Sequence, residues 1–161
     1  MKGPIRKILV YIDGTEQSIT AAQYAILLSH ATGAELTALY VVNTRALNDL
    51  VNARIFLEIE QEEYQRDLES DAERYLKHVK SLGLEKGISI ETDKRSGTVH
   101  QEIKNAISEK EIDLLIIGEL SRIRSRKDEF YNESDRAMRN AHCSVLIVKD
   151  EERVIDLFEE I

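Results

Sequence analysis

Residues 113–148 read DLLIIGELSRIRSRKDEFYNESDRAMRNAHCSVLIV, and this stretch decides the fold class. It holds two short apolar runs, Leu114–Ile117 and Val145–Val148, separated by a polar loop and a short helical segment. Continuous apolar runs of this length are typical of strands buried on both faces, as in a parallel sheet covered by helices. The first run stops at Gly118, which marks the carboxyl end of a strand, where open α/β sheets bind ligands.

The rest of the chain alternates apolar strands with amphipathic helices. Strands are predicted at Ile8–Ile12, Leu36–Val42, Ile88–Thr92, Leu114–Ile117 and Val145–Val148. Helices are predicted from a Thr15 cap to Gly33, over much of 50–82 with Gly83 as the stop, after Gly97-Thr98, over 133–141 and over 151–161. This order predicts an α/β fold of three layers, a doubly wound open sheet of five mostly parallel strands with helices on both faces. We expect one domain over residues 1–149 and an amphipathic helical extension over 150–161.

The net charge, apolar runs and cysteine count limit which partners and which location we expect for the protein. The chain has 161 residues and a formal net charge of −8, so we expect neither nucleic acid nor an anionic membrane as a general partner. No apolar run approaches the roughly 20 residues that span a bilayer. The single cysteine, Cys143, has no internal disulfide partner, which suits a reducing cytoplasm. The expected location is therefore cytoplasmic.

The residues that usually carry catalysis or bind metals do not form a recognisable pattern. The four histidines lie far apart in sequence, and no His, Cys, Asp or Glu grouping has the spacing of metal ligands. The Gly-x-Ser-x-Gly elbow of hydrolases is also missing from the sequence. We therefore predict no catalytic residue, no metal and no enzymatic activity, and we interpret Cys143 as a buried structural thiol.

Four segments together resemble the universal stress protein family over about residues 5–148. They are KILVYIDGTEQSITAAQYAILLSHATGAEL, LTALYVV, the stretch from Gly97 to DLLIIG, and NESDRAMRNAHCSVLIV, in that order and spacing. The resemblance implies the strand order 3-2-1-4-5. It also implies a small stress-response or regulatory protein that acts by binding and dimerising.

The resemblance further implies an adenine-nucleotide site at the carboxyl edge of the sheet. Asp13 and Val41 match the adenosine end, and Gly118 matches the first glycine of the family's Gly-x-x-Gly, nine residues, Gly-Ser or Gly-Thr pattern. Ser121 stands where the second glycine would be, and Tyr131-Asn132 stand where the final pair would be. The candidate binding residues are Asp13, Val41, Gly118, Ser121, Arg124, Arg126 and Asn132.

The missing glycines leave alternatives open. In one, ATP or another adenine nucleotide binds, and Ser121, Asn132 and the cations of Arg122–Lys127 hold the phosphates that glycine amides would otherwise hold. In another, the site is vestigial and the protein is a nucleotide-free interaction module. A third, an enzyme that cleaves ATP between the α and β phosphates, has only the turn DGTEQS in its favour.

The last strand predicts an interaction between subunits. In the family's strand order, Ser144, Val145, Leu146, Ile147 and Val148 form an edge strand, and an unpaired apolar edge is normally covered or paired. The resemblance implies a homodimer through this strand. The tail helix would either cover the same edge or pack across the dimer. The acidic helix around 58–73 could also bind an unidentified protein, although a solvated helix face is the better explanation of its charge.

Overall fold

The computed structural model of the chain describes residues 3–53, 57–120 and 133–161, apart from the side chains of Ala46 and Glu58. The described strands are β1 Lys7–Ile12, β2 Glu35–Val42, β3 Ile90–Ser96, β4 Leu114–Gly118 and β5 Ser144–Val148. The described helices are α1 Glu16–Thr32, α2 Thr44–Asn52, α3 Glu58–Glu85, α4 Val99–Lys110, α5 Glu133–Asn140 and α6 Glu151–Glu160.

The strands form one parallel sheet in the order β3-β2-β1-β4-β5, which confirms the predicted fold class and strand order. Successive side chains of a strand point to opposite faces. Ile8, Val10 and Ile12 therefore join a core with α1, α3 and α6, whereas Leu9 and Tyr11 join a second core with α4 and α5. Two helical layers thus enclose the sheet. In the described part of the chain, no helix is long and apolar enough to cross a membrane.

The ends of α1 follow the predicted signals. The Thr15 hydroxyl accepts a hydrogen bond from the backbone N–H of Ser18 at 3.1 Å, which satisfies one of the first-turn donors. At the other end Gly33 adopts a left-handed conformation with φ 76°, and its N–H donates to the carbonyl of Ser29. Local sequence therefore determines where this helix begins and ends.

The predicted bounds of the third strand were wrong. The strand runs over Ile90–Ser96 rather than Ile88–Thr92, and it pairs with β2 over its whole length. Its polar second half is held by ion pairs within the strand and to α4, since the Arg95 guanidinium lies 2.9 Å from Asp93 of β3 and 2.6 Å from Glu109 of α4. Pairing and ion pairs, rather than an apolar pattern, define this edge strand.

The prediction of a single helix ending at Gly83 was also wrong. The region contains two helices, α2 and α3, and α3 continues to Glu85. Gly83 is there for packing, because a Cβ at this position would lie 2.6 Å from Cδ1 of Ile90 and 2.8 Å from the carbonyl oxygen of Ile88. The left-handed glycine after the helix is Gly87, with φ 74°.

The tail helix α6 packs on the body of its own chain, against α1. Val154 and Phe158 are buried in the same core as α1 and α3. The Lys86 ammonium lies 4.9 Å from the centre of the Phe158 ring and donates to the carbonyl of Ile161 at 3.1 Å. The helix therefore completes a core of the domain, while the boundary at residue 149 stays a prediction.

We expect Phe158→Ala to lower the free energy of unfolding by about 3 kcal/mol, because it empties a buried aromatic position between α6 and α1. Urea denaturation followed by circular dichroism measures this change. Ile161→Ala, at an exposed position of the same segment, should change stability by less than about 0.5 kcal/mol. Equal effects of the two substitutions would show that α6 does not contribute to the core.

Candidate functional site

The candidate site lies where the sheet reverses its winding. The helix after β1 packs on one face of the sheet, whereas the helix after the neighbouring strand β4 packs on the other face. Such a switch point leaves a crevice beyond the carboxyl ends of the two strands, and ligands bind there in open α/β sheets. Asp13 follows β1 and Gly118 ends β4, so these two predicted residues flank the crevice.

The pairing of β1 with β2 places a third predicted site residue, Val41, beside Asp13. Ile12 pairs with Tyr40, so Asp13 and Val41 are adjacent at the ends of β1 and β2. The Val41 side chain is buried in the core beneath α4. The carbonyl of the next residue, Val42, accepts a hydrogen bond from the N–H of Gly97 at 3.0 Å, which connects the end of β2 to the turn before α4.

Asp13 already has a structural role. Its Oδ1 atom accepts hydrogen bonds from the N–H and the hydroxyl of Thr15, at 3.0 Å and 2.6 Å. Its own N–H donates to the Ser18 hydroxyl at 3.3 Å. These bonds hold the turn that leads into α1, as is common for an aspartate before glycine. They also hold the carboxylate at the mouth of the crevice, so the structural and the binding interpretations of Asp13 are compatible.

Two stacked tyrosines form a wall beside the β1 turn. Tyr40 of β2 and Tyr75 of α3 are parallel within 3°, with ring centres 6.3 Å apart. Gly14 adopts φ 84°, and a Cβ there would lie 2.7 Å from the Tyr75 ring. The Arg74 guanidinium lies 5.2 Å from the centre of the same ring. This aromatic contact was not predicted, because it joins residues far apart in sequence.

Gly118 is required by packing. A Cβ at this position would lie 2.5 Å from the carbonyl oxygen of Gln17, in the first turn of α1. The φ of Gly118 is not in the left-handed region, so close approach of two backbones is the reason for glycine here. The role of Gly118 in holding a phosphate stays a prediction. Four further predicted site residues, Ser121, Arg124, Arg126 and Asn132, lie in 121–132, outside the described residues.

Glu133 is a residue of the site that the sequence analysis missed. One carboxylate oxygen, Oε2, accepts a hydrogen bond from the backbone N–H of His100 at 3.0 Å and lies 2.8 Å from Nδ1 of the same histidine. The other, Oε1, lies 3.4 Å from Nη1 of Arg136. Glu133 therefore joins the start of α5 to the start of α4. In the sequence, its position directly after Asn132, at a predicted helix start, could have indicated that Glu133 lies near the site.

Two tyrosines beside the crevice remain uncharged. Burial raises the pKa of the Tyr11 phenol well above its ordinary value, and the carboxylates of Asp13 and Glu133 raise it further. Burial also raises the pKa of Tyr40, with added contributions from Asp13 and Asp71 that the Arg74 guanidinium partly opposes. Both phenols therefore remain neutral at physiological pH.

The described residues offer little support for metal or thiol chemistry. Within residues 3–53, 57–120 and 133–161, no group of three or more His, Cys, Asp or Glu side chains could hold a metal ion. Cys143 is half-buried beneath β4 and β5, and burial raises the pKa of its thiol. The thiolate, which is the nucleophilic form, is therefore disfavoured.

The parallel sheet, its switch point and the residues flanking it define a doubly wound domain with a ligand crevice at its carboxyl edge. A model described as the universal stress protein family matches residues 4–149, so the chain belongs to that family. Universal stress protein MJ0531 of Methanocaldococcus jannaschii is 30% identical over 144 residues, which cover 89% of this chain and 82% of that protein. Universal stress protein YxiE of Bacillus subtilis is 28% identical over 149 residues, covering 89% of this chain and 98% of that protein.

Solved structures support the same fold. A universal stress protein in complex with cAMP has a TM-score of 0.62 at 20% identity and covers 89% of this chain and 96% of its own. An Arabidopsis thaliana universal stress protein family protein with AMP bound has a TM-score of 0.63 at 13% identity. The match covers 89% of this chain and 91% of that chain. At sequence identities this low, the similarity to these structures establishes the fold of the chain and nothing about its ligands.

We expect Gly118→Ala to lower the free energy of unfolding by about 2 kcal/mol or more without any ligand, because the new methyl group overlaps the α1 backbone. Chemical denaturation measures the loss. Gly33→Ala is the matched control, since its surroundings are open and only its left-handed φ of 76° opposes a side chain. The control should lose about 1 kcal/mol. A Gly118→Ala protein of unchanged stability would contradict the packing interpretation.

Proposed function

We propose that this universal stress protein is a cytoplasmic regulatory protein that binds an adenine nucleoside or nucleotide in the switch-point crevice and acts as a homodimer without catalysis. The observation that carries the proposal is the juxtaposition of Asp13 and Val41 at the ends of adjacent strands beside that crevice. Two proteins of the same fold were solved with cAMP and AMP, which supports an adenine ligand.

The two ends of such a ligand would meet different surroundings. At the adenosine end, Asp13 offers a carboxylate and β2 offers backbone groups around Val41. At the phosphate end the family glycines are missing, and Ser121, Arg124, Arg126 and Asn132 are the residues that could replace them. Arginine binds phosphate oxygens through its fork of N–H donors and requires no glycine turn. Because the glycine amides of the family pattern are missing at Ser121 and Tyr131, we propose that the adenosine moiety contributes most of the affinity.

The contrast between the two sheet edges supports a dimer through β5. The β3 edge carries exposed polar side chains such as Thr92 and Lys94, and its Arg95 is held in ion pairs. In β5, by contrast, Val145, Leu146 and Ile147 are half-buried apolar residues on an edge strand. Apolar edges pair with other strands, whereas charged edges resist pairing. A two-fold contact between β5 strands closes on itself, so it would stop at two subunits.

A nucleotide-free interaction module is the second candidate function. It is favoured by the packing role of Gly118, which accounts for the one surviving glycine of the family pattern without a phosphate. In this alternative the dimer remains, and the crevice contributes only to folding. The two candidates share every element of the fold, so only a binding measurement separates them.

Native mass spectrometry and isothermal titration with adenosine, AMP, cAMP and ATP test the nucleotide proposal. We expect a dimer that binds one ligand in each subunit. Asp13→Ala should weaken adenosine binding by about tenfold or more, because it removes a charged hydrogen-bond acceptor. Asp49→Ala, at an exposed position of α2, is the control and should bind normally. A dimer that ignores all four ligands at millimolar concentration would favour the interaction module.

The subunit contact is tested by Ile147→Glu, which places a charge on the β5 edge. We expect this variant to sediment as a monomer at concentrations where the unchanged protein sediments as a dimer, because pairing would bury an uncompensated carboxylate. Thr92→Glu places the same charge on the opposite edge of the sheet and should leave the dimer intact. Dissociation by Thr92→Glu and not by Ile147→Glu would place the interface at β3 instead.

A further inference from the structure

The amino terminus of α4 is capped by a different helix. Thr98 occupies the N-cap position, but its side chain makes no capping hydrogen bond among the described residues. The first N–H groups of a helix have no partners within the helix, and together with the helix dipole they attract an anion. Here the N–H of His100 donates to Glu133 Oε2. A carboxylate from α5 thus occupies a position suited to a phosphate oxygen.

That carboxylate is held in place from several directions. The His100 ring nitrogen lies 2.8 Å from Oε2, and the Arg136 guanidinium lies 3.4 Å from Oε1. The Glu133 side chain is only 14% exposed. The anion is therefore built into the domain as part of the junction between two helices.

Glu133 lies at the same edge of the sheet as the crevice. It is the first residue of α5, which follows β4, and it contacts His100 in the first turn of α4, which follows β3. Helices that follow parallel strands begin at the carboxyl edge of the sheet, where Asp13 also lies. A ligand phosphate beside β1 would therefore meet two carboxylates. Like charges repel, and the repulsion grows with the charge of the ligand, so the penalty increases from adenosine to AMP to ATP.

We propose that Glu133 is a specificity determinant of the crevice, whose fixed carboxylate makes the site favour adenosine or AMP over ATP. The proposal rests on the proposed function, because it concerns which adenine ligand the crevice accepts. Glu133 acts as an internal anion at the start of α4. It contributes selectivity by excluding additional phosphates, while the adenosine contacts lie elsewhere, at Asp13 and Val41.

The test compares Glu133→Gln with the unchanged protein. Glutamine keeps the shape of the side chain and an oxygen that can accept from the His100 N–H, but it removes the charge. Titration with adenosine, AMP and ATP should show that Glu133→Gln raises the affinity for ATP by about tenfold relative to adenosine, with AMP in between. Asp135→Asn removes the same charge from the same helix at a more exposed position, 26% against 14% for Glu133, where solvent screens it more strongly. This control should change the ATP-to-adenosine ratio by less than about twofold.

The salt dependence of the unchanged protein is a second measurement that needs no variant. Repulsion between charges is screened by salt, so the ATP affinity relative to adenosine should rise from about 0.05 M to about 0.5 M salt. A ratio that falls with salt would mean that attraction by cations dominates, and it would overturn the proposal. An unchanged ratio would overturn it as well.

The outcomes separate this inference from the proposed function. If the unchanged protein binds adenosine or AMP but Glu133→Gln has the same ATP-to-adenosine ratio, the inference is wrong and the proposed function stands. If the unchanged protein binds none of the ligands, the preference for adenosine or AMP is wrong together with the proposed function, even where Glu133→Gln binds ATP. If neither protein binds any of them, both proposals are overturned.

Discussion

The close approach of Gly118 to Gln17 is the contact on which the arrangement of the site depends. With no Cβ at the end of β4, the backbone of this strand can lie directly against the first turn of α1. The amino terminus of α1 is thereby held beside the crevice, together with the Asp13 turn and the Thr15 cap that precede it. A larger residue would separate helix and strand and displace every group that follows β1.

The fold could be predicted from the sequence wherever a strand is buried on both faces, because such strands consist of uninterrupted apolar residues. β1, β2, β4 and β5 were recognised in this way. β3 was misplaced because its polar half is held by pairing with β2 and by Arg95, both of which depend on distant residues. Gly83 was misinterpreted for a related reason. A glycine that stops a helix and a glycine that admits a neighbouring side chain look the same in sequence.

The site was predictable only in part. Asp13, Val41 and Gly118 follow or end strands, so their places at the carboxyl edge could be derived from local sequence and topology, while their binding roles stay predictions. Glu133 could not be found in this way, because its partner His100 lies 33 residues earlier and neither residue belongs to a recognisable motif. The junction between α4 and α5 arises from the three-dimensional fold. The stacking of Tyr40 on Tyr75 could not be predicted from the sequence either, because it also joins residues that are far apart along the chain.

The close packing of Gly83 against Ile90 has a geometric consequence for α3. The helix has 28 residues and β3 has 7, so at about 1.5 Å and 3.3 Å per residue their lengths are about 42 Å and 23 Å. Because one end of the helix is pinned at the amino end of β3, the surplus length projects past the carboxyl edge of the sheet. None of the described side chains from 57 to 71 is buried. The buried contacts of the helix at Ala72, Leu76 and Val79 hold only its carboxyl-terminal part, and its amino-terminal part extends past the sheet as an exposed surface whose Gln61 donates to Asn48 of α2 at 2.8 Å.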